Sequence, residues 1–374
     1  MNNFLKTGKM LHNRDLPKLI VIGNESCDLD SVVCSISLAF HISKSPASLK
    51  IKQNYDHVLP VLNVTRENLP LKTEVVYYLR ENDIDLNDLV CKDEIYLPET
   101  SSNTNFVLVD HHLSKYRVNV IGVVDHRPFD PNSALNHDIF IYIEEVGSCA
   151  TLIASLIEKS SILESNLEEY HIVLKLLYGA IVLDTVNLSK QADKTRKLDL
   201  EMLQLIEDYL HVTDTHRQEL FNSLVFNRND ISSLNTLEVL SKDLKILTRN
   251  GRTIAIPGFP LLVQDYILRD NAETAVFEFA NRVAANVLIL MGMKINSSNT
   301  DVSRDIGLIN IDDVDLYTKM KNRIMSTEAR SFGFEIIPDV DFNQGVLFKQ
   351  KNVKCSRKQL IPMINYVLDN VLLS

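Results

Sequence analysis

Cysteine is scarce in this sequence, and the cysteines are not spaced for a disulfide framework or a zinc ribbon. The five cysteines are odd in number, scattered along the chain and include no C-x-x-C pair. Both kinds of site need cysteines at short, regular spacings. The pattern therefore argues against a disulfide-stapled or zinc-ribbon protein, and we expect a reducing compartment.

Long apolar runs are also lacking, and none approaches the roughly 20 residues that a transmembrane helix needs. The best candidate, AANVLILMGM, is interrupted by Asn286 and is predicted to be a core strand. The first residues, MNNFLKTGKMLHNRD, lack the apolar stretch of a secretory signal and resemble a transit peptide only poorly. The expected location is the cytoplasm, with organelle import left open, and no membrane partner is expected.

Positive charge is in deficit, with 39 Lys and Arg against 49 Asp and Glu and a formal net charge of -10. Nucleic acids and anionic membranes are bound through clustered cations. We therefore expect no nucleic-acid partner, and any anionic ligand must be held locally by a few basic residues.

Low-complexity tracts are absent, and the composition is that of an ordinary globular protein, 45% hydrophobic and 24% charged. A chain of 374 residues exceeds the size at which one hydrophobic core usually stops growing. We expect two domains, residues 1–212 and 226–374, joined by a linker over residues 213–225.

Several apolar runs in the first half end at an acidic residue: KLIVI before GNESCDLD, NFVLV before DHH, and VNVIGVV before DHR. Runs of this kind, separated by helical segments such as LKTEVVYYLREN, are typical of parallel strands buried on both faces. The first domain is therefore predicted to be α/β with a doubly wound parallel sheet. The strand-like runs TIAIPGF and VLILMGM, with helices over residues 271–285 and 359–372, predict a smaller second α/β domain.

Strand-end acids are expected to meet, because the carboxyl ends of parallel strands lie at one edge of a sheet, where ligands bind. A further acid ends the helical pattern EEYHIVLKLLYGAIVLD. One alternative is that Asp30 only caps the helix predicted over SVVCSISLAFHIS. The acids expected at this edge are Asp28, Asp30, Asp110, Asp125 and Asp184.

Acids gathered in a partly buried cleft repel one another and need cations. Carboxylates with one or two imidazoles favour Mg²⁺ or Mn²⁺ over structural zinc, which needs more Cys or His. Two such ions about 3.5–4 Å apart can bind a phosphoryl oxygen and activate a water. The sequence thus predicts two divalent cations and hydrolysis of a phosphoester or phosphoanhydride.

The motifs DLD, VDHH, VDHR and LDT resemble those of the DHH phosphoesterase superfamily, which includes family II inorganic pyrophosphatases and yeast-type exopolyphosphatases. GNESCDLDS, PVLNVTRENLPLK, VVDHRPF and VGSCATL are similar to the animal prune exopolyphosphatase subgroup, and the resemblance runs from Ile20 to Pro362. It implies that Asp110 is shared between two metals and that His126 binds the second. The implied metal ligands are Asp28, Asp30, Asp110, His126 and Asp184.

Two positions depart from the pyrophosphatase pattern. Asn24 stands where a histidine ligand is usual, so we expect an altered first metal site with Asn24 near the substrate. Arg127 replaces the second histidine of the third motif; because a guanidinium binds phosphate and stays charged near neutral pH, we expect it to bind substrate. His111, His112 and Asp125 are candidates for acid or orienting work, with hydrogen bonding to a ligand carboxylate as the alternative for the two histidines.

Further phosphate-binding groups are expected in both domains. Gly147 and Ser148 precede the apolar segment ATLIASLI, whose helical N-terminus could face a phosphate, with ordinary capping by Ser148 as the alternative. By resemblance, Lys245 in SKDLK reaches the substrate from the second domain. Arg357 and Lys358, in the basic run KQKNVKCSRKQ, do so too, although such a run is otherwise a solvated face.

The resemblance implies a short inorganic polyphosphate as the substrate, enclosed as the two domains close. Long polyphosphate is not expected, because the charge balance offers no extended basic track. Two alternatives stay open: hydrolysis of cyclic nucleotides, and a weakly catalytic protein that binds a regulatory protein partner.

Overall fold

In the computed structural model the chain forms two compact units, Met1–Asn229 and Asp230–Ser374. The structure describes residues 1–14, 16–49, 55, 57–97, 103–112, 119–128, 139–295, 302–338, 342 and 345–370. Most of the stretch 213–225, for which the sequence suggests a linker, lies in the helix Asp214–Asn229 of the first unit.

The first unit is built on a sheet whose described strands all pair in parallel. They are β1 (Lys18–Ile22), β2 (His57–Leu62), β3 (Val90–Cys91), β4 (Thr104–Val109), β5 (Val120–Asp125) and β6 (Phe140–Ile143). Their order is β3-β2-β1-β4-β5-β6. The chain runs outward from β1 in both directions, so the topological switch point lies between β1 and β4. This order confirms the doubly wound parallel sheet predicted from the sequence.

Some helices of the first unit alternate with its strands, and four consecutive helices follow β6. They are α1 (Asn2–Leu11), α2 (Leu29–Lys44), α3 (Thr73–Glu81), α4 (Cys149–Lys159), α5 (Leu163–Asp184), α6 (Lys197–Leu210) and α7 (Asp214–Asn229). The predicted helix that ends near Asp184 is therefore confirmed.

The sheet of the first unit is buried on both faces, as its continuous apolar strands predict. Leu19 and Val21 of β1 point into the core formed with the helices. Ile20 and Ile22 point to the opposite face, where they pack with Phe106 and other strand residues. Because both faces of the sheet are apolar, its polar side chains lie at the ends of the strands.

The second unit contains a mixed sheet. Its described strands are β7 (Asp243–Arg249), β8 (Arg252–Phe259), β9 (Val287–Ile295), β10 (Val302–Asn310), β11 (Phe334–Ile336) and β12 (Val346–Gln350), in the order β11-β12-β10-β9-β8-β7. Only the β8 and β9 pair is parallel among these described strands. The helices are α8 (Thr236–Ser241), α9 (Val263–Tyr266), α10 (Ala272–Arg282), α11 (Val314–Ile324) and α12 (Arg357–Asn370). The predicted second α/β domain is confirmed.

Candidate metal centre

The loop after β1 carries the first two aspartates. Cys27 has a φ of 47°, a left-handed turn that ends the loop before the helix. Asp28 then caps α2, with its Oδ1 accepting a hydrogen bond from the Ser31 N–H at 3.2 Å. The alternative in which Asp30 caps this helix is therefore wrong, because Asp30 lies inside the first turn.

Asp30 instead receives the N-terminus of a different helix, α4. Its Oδ2 accepts from the Cys149 N–H at 2.7 Å, and its Oδ1 accepts from the Ala150 N–H and the Ser148 hydroxyl, both at 2.8 Å. The side chain is buried. Backbone donors and the positive helix end thus stabilise a buried carboxylate. Oδ1 is occupied by its donors, whereas Oδ2 accepts a single hydrogen bond and keeps a lone pair available to a cation.

Gly147 and Ser148 therefore support a carboxylate here. Ser148 is the N-cap of α4, accepting from the Ala150 N–H at 3.3 Å. The Gly147 N–H donates to Asp199 at 2.8 Å, and a Cβ at Gly147 would lie 3.0 Å from the same carboxylate. These contacts agree with the capping alternative, and a phosphate contact by either residue stays a prediction.

Asp110 follows β4 and is held in a left-handed conformation, with φ of 59°. Its Oδ2 accepts from Asn24 Nδ2 at 2.6 Å and from the Ser31 hydroxyl. Its Oδ1 is buried and makes no hydrogen bond in the described part of the chain. That oxygen lies 3.3 Å from His126 Nε2 and 3.2 Å from an Arg127 Nη atom. One oxygen is thus fixed by donors, and the other faces His126 and Arg127.

His126 follows β5 and is oriented by the backbone. Its Nδ1 lies 3.0 Å from the Val146 carbonyl oxygen, so Nδ1 donates and Nε2 is directed at Asp110. A histidine held in this way through one nitrogen is the usual arrangement of a metal ligand. Ligand atoms of Asp30, Asp110 and His126 all lie within 4.8 Å of one another.

Electrostatic repulsion accompanies this convergence. Burial raises the pKa of Asp110 to about 7; His126 opposes this, and the charges of Asp30 and Asp28 add to it. Burial, followed by the charges of Asp30, Asp28 and Asp110, holds the pKa of Asp184 well above its usual range. Burial lowers the pKa of His126, but the adjacent Asp110 carboxylate and the charge of Asp30 outweigh this and raise it to about 10. The acids therefore act on one another, and a cation among them relieves the repulsion.

Asp184 ends α5 at an abrupt turn. Val186, Asn187 and Leu188 have φ values of 54°, 51° and 60°, a left-handed run that is costly for a β-branched residue such as valine. The helix therefore stops directly after Asp184. Among the described residues, Asp28 and Asp184 contribute charge to the cluster but lie outside its three-residue core.

The chain is similar to known proteins over almost its whole length. Residues 222–367 match the family model of the DHHA2 domain. The human protein exopolyphosphatase PRUNE1 is 29% identical over 380 residues, which cover 98% of this chain and 79% of the human protein. The chain thus contains a DHHA2 domain and is similar to exopolyphosphatase PRUNE1 over nearly its whole length.

Two further similarities agree with this assignment. A manganese-dependent inorganic pyrophosphatase of Methanocaldococcus jannaschii is 25% identical over 240 residues, covering 63% of this chain and 69% of that protein. The crystal structure of a Methanococcus jannaschii protein assigned to the family II inorganic pyrophosphatases has a TM-score of 0.53 at 18% identity, covering 94% of this chain and 99% of that one. The latter similarity supports the DHH fold alone.

The remaining DHH-motif residues surround Asp110. His112 Nδ1 is hydrogen-bonded to Asp125 Oδ2, and the other Asp125 oxygen accepts from the Arg127 N–H at 3.2 Å. His111 Nδ1 lies 2.9 Å from the Val109 carbonyl oxygen, and burial lowers the pKa of His111. Arg127 is half-exposed and donates to the Asp110 carbonyl at 2.8 Å. Asp125 thus orients His112 and the Arg127 backbone.

The predicted basic residues of the DHHA2 unit have different surroundings. Lys245 lies exposed in β7, and Lys358 is also exposed. Arg357 forms an ion pair with Asp243 at 2.6 Å and donates to its carbonyl at 2.8 Å. The segment Ser356–Gln359 starts α12, and the Gln359 side chain accepts from the Ser356 N–H at 2.8 Å, as in a capping box. The motif is therefore also a helix start, and its contact with substrate stays a prediction.

Two supporting residues of the DHH site were not singled out from the sequence. Ser31, directly after the DLD motif, donates to Asp110 and accepts from the Asn24 N–H at 3.3 Å. Its place beside the two aspartates is a signal that could have identified it. Asp199 accepts from Gly147 and Arg196, and no local pattern in the sequence marks it. Across the described residues, no helix of this protein has the length and apolar character needed to cross a bilayer.

Proposed function

We propose that this chain is a metal-dependent phosphohydrolase that cleaves phosphoanhydride bonds of short inorganic polyphosphates. The observation that carries the proposal is the convergence of Asp30, Asp110 and His126 within 4.8 Å, with one Asp110 oxygen buried and lacking a hydrogen bond among the described residues. The names of the relatives support the reaction class, since one is called an exopolyphosphatase and another a manganese-dependent inorganic pyrophosphatase.

The residues present fit a hard divalent cation. Asp30 and Asp110 offer carboxylate oxygens and His126 offers Nε2, a donor set that suits Mg²⁺ or Mn²⁺. Asp28 and Asp184 supply carboxylates for the other ion; the charge of Asp28 raises the pKa of Asp110, and the charges of Asp30, Asp28 and Asp110 raise that of Asp184. Bound cations of this kind polarise phosphoryl oxygens and lower the pKa of water.

The two sites are proposed to differ in strength. Asn24 does not offer its carbonyl oxygen in this structure, because Oδ1 accepts from the N–H of Ser26 at 2.8 Å and from its hydroxyl. Its Nδ2 donates to Asp110 Oδ2, so that oxygen is less available to the other ion. We therefore assign the tighter site to Asp30, Asp110 Oδ1 and His126.

The protein groups then have separate tasks. Arg127 is fixed through the Asp110 carbonyl and presents a half-exposed guanidinium to a phosphate. His112, held by Asp125, and His111 are placed for orienting work or proton transfer beside the ligand Asp110. Lys245, Arg357 and Lys358 are proposed to bind the substrate from the second unit, and Asn24, Gly147 and Ser148 to line the site.

Phosphate release tests the proposal. Wild type should release phosphate from tripolyphosphate and tetrapolyphosphate with Mg²⁺ or Mn²⁺, and pyrophosphate and cyclic AMP should be assayed beside them. Asp110→Asn, which keeps the shape of the side chain, should reduce turnover by at least about 100-fold. Asp208→Asn, at an exposed acid of α6, is the matched control and should leave turnover unchanged.

One observation favours a second candidate, a weakly catalytic protein that binds a regulatory partner. Asn24 and Arg127 engage the Asp110 side chain and carbonyl, and this bonding competes with ion binding. Equal inactivity of wild type and Asp110→Asn on every substrate would favour that candidate. Turnover of cyclic AMP alone would retain the metal centre and replace the substrate.

A further inference from the structure

The stretch PVLNVTRENLPLK, residues 60–72, contacts the loop that carries Asp28. Asn63 Nδ2 donates to the Gly23 carbonyl at 3.0 Å, and Lys72 Nζ donates to the Ser26 carbonyl at 2.5 Å. The proposed function gives neither residue a role. The two bonds tie the loop after β1 to the chain that follows β2.

Lys72 is a cation beside an acidic cluster, yet within the described ranges it forms no ion pair with an acid. The hydroxyl of Ser26, and not Lys72, donates to Asp28 Oδ2 at 3.1 Å. An ammonium has three N–H donors, so two remain after the bond to the Ser26 carbonyl. The side chain is half-exposed, and its charge is available to an anion at the rim of the metal centre.

Strand order places Lys72 and Arg127 on opposite flanks of the acids. Lys72 reaches the loop after β1 from the β2 side, and Arg127 reaches Asp110 from the β5 side. Three interstrand spacings separate β2 from β5, roughly 14 Å at about 4.8 Å each, and both side chains extend inward from these flanks to the loops that carry the acids. The acids of the β1 and β4 loops lie between these two cations, so an anion centred on the acids has a cation at each side.

We propose that Lys72 binds a phosphate group of a linear polyphosphate on the β2 side of the metal centre, opposite Arg127, and thereby selects substrates longer than pyrophosphate. The nature of the substrate rests on the proposed function. In this arrangement a diphosphate occupies the acids and Arg127, and Lys72 meets the phosphates further along a longer chain. A third or fourth phosphate reaches the ammonium and gains a charge-assisted hydrogen bond.

Substrate preference in Lys72→Met is the test. We expect kcat/KM for tetrapolyphosphate to fall by about 10-fold to 100-fold, mainly through a higher KM, because a hydrogen bond to a charged group is lost. The value for pyrophosphate should change by less than about 3-fold. Lys72→Arg should restore the preference, since it keeps the charge and the donors. Lys197→Met, at a lysine that is 91% exposed, is the matched control and should match wild type on both substrates.

Equal losses on tetrapolyphosphate and pyrophosphate, or weaker Mn²⁺ binding in Lys72→Met, would show that Lys72 only holds the loop and would overturn the proposal. Unchanged kinetics would overturn it as well. If wild type hydrolyses none of these substrates, the proposed function fails, and calorimetric binding of tetrapolyphosphate with Mg²⁺ decides the role of Lys72 separately. At least a 10-fold loss of that affinity in Lys72→Met supports the assignment, whereas equal or undetectable binding in both proteins contradicts it.

Discussion

At the scale of single residues, the metal centre depends on which hydrogen-bond donors contact each oxygen of the Asp110 carboxylate. Asn24 and Ser31 bind Asp110 Oδ2, which leaves Oδ1 directed toward His126 and Arg127. A carboxylate oriented in this way presents a single oxygen to a cation. Groups that hold a ligand in place usually contribute measurably to metal affinity.

Ser31→Ala should therefore weaken Mn²⁺ binding and turnover by about 10-fold, because Asp110 loses one of its two orienting side-chain donors. Calorimetric titration with Mn²⁺ measures the change. Ser35→Ala is the matched control, since Ser35 lies one turn further along α2 and donates to the Ser31 carbonyl at 2.8 Å. Equal losses in both variants would indicate a general effect on α2.

Asp184→Asn should stabilise the metal-free protein. Asp184 lies in the field of Asp30, Asp28 and Asp110, so neutralising it removes repulsion worth on the order of 1 kcal/mol, or about 2–4 °C in Tm. Thermal unfolding in EDTA measures this gain, and the stabilisation that Mn²⁺ adds should be smaller than in wild type. A lower Tm in EDTA would contradict the account of mutual repulsion.

At the scale of elements, the N-termini of two helices, α4 and α6, hold a metal ligand and the loop beside it in place. The N-terminus of α4 binds Asp30. The first turn of α6 provides Asp199, which accepts from the Gly147 N–H at 2.8 Å, the Arg196 N–H at 2.7 Å and the Thr151 hydroxyl. Asp199 is fully buried. The loop before α4 is thus held from both sides.

Asp199→Asn should destabilise the first unit by about 3 kcal/mol. Three buried donors contact the two carboxylate oxygens of Asp199, and an amide offers only one acceptor oxygen. Urea unfolding followed by circular dichroism measures the loss. Asp208→Asn, an exposed acid on the same helix, serves as the control. A loss as small in Asp199→Asn as in the control would mean that the loop before α4 is not held by this carboxylate.

The packing of α2 against α5 predicts a dependence of stability on pH. His41 of α2 is fully buried, contacts the Tyr170 hydroxyl at 2.9 Å, and burial lowers its pKa from 6.5 to about 4. In the unfolded chain His41 is protonated below about pH 6.5, whereas in the folded protein it is protonated only below about pH 4. Stability should therefore fall as the pH drops through this window, by up to about 3 kcal/mol.

His41→Gln removes the titrating group, and its amide can still hydrogen-bond to the Tyr170 hydroxyl. The fall in unfolding free energy between pH 6.5 and pH 4 should be shallower in this variant than in wild type by about the same amount. Denaturant unfolding at a series of pH values measures it. Identical slopes would assign the acid sensitivity to other groups.

Some features of these elements were predictable from the sequence, and others were not. The strand-end acids were predictable, because parallel strands bring their carboxyl ends to one edge whatever the details of packing. The N-cap was misplaced by two residues, since Asp28 and Asp30 are both good caps and the left-handed turn at Cys27 decides between them. The contact of α4 with Asp30 and the role of Asp199 depend on tertiary packing, which no local pattern encodes.

At the scale of the whole molecule, the groups that converge on a cation all belong to the first unit, Met1–Asn229. The second unit matches the DHHA2 domain and contributes only the basic residues proposed to bind substrate. A cation should therefore stabilise the two units unequally, because it binds only the folded form of one.

Hydrogen exchange with and without Mn²⁺ should show this inequality. Added protection is expected in residues 23–31, 109–112, 119–127, 147–150 and 184–188, which carry the proposed ligands and their supports. Residues 236–295 should exchange at unchanged rates. Equal protection of both regions would contradict a metal centre confined to the first unit.

Asp30, Asp110 and His126 are proposed to hold a divalent cation. Anomalous diffraction at the manganese edge from crystals grown with Mn²⁺ tests this proposal most directly. We predict an anomalous peak within coordination distance of Asp110 Oδ1, His126 Nε2 and an Asp30 oxygen, and its loss in Asp110→Asn. Well-ordered density for these three side chains with no anomalous peak between them, at millimolar Mn²⁺, would contradict the account.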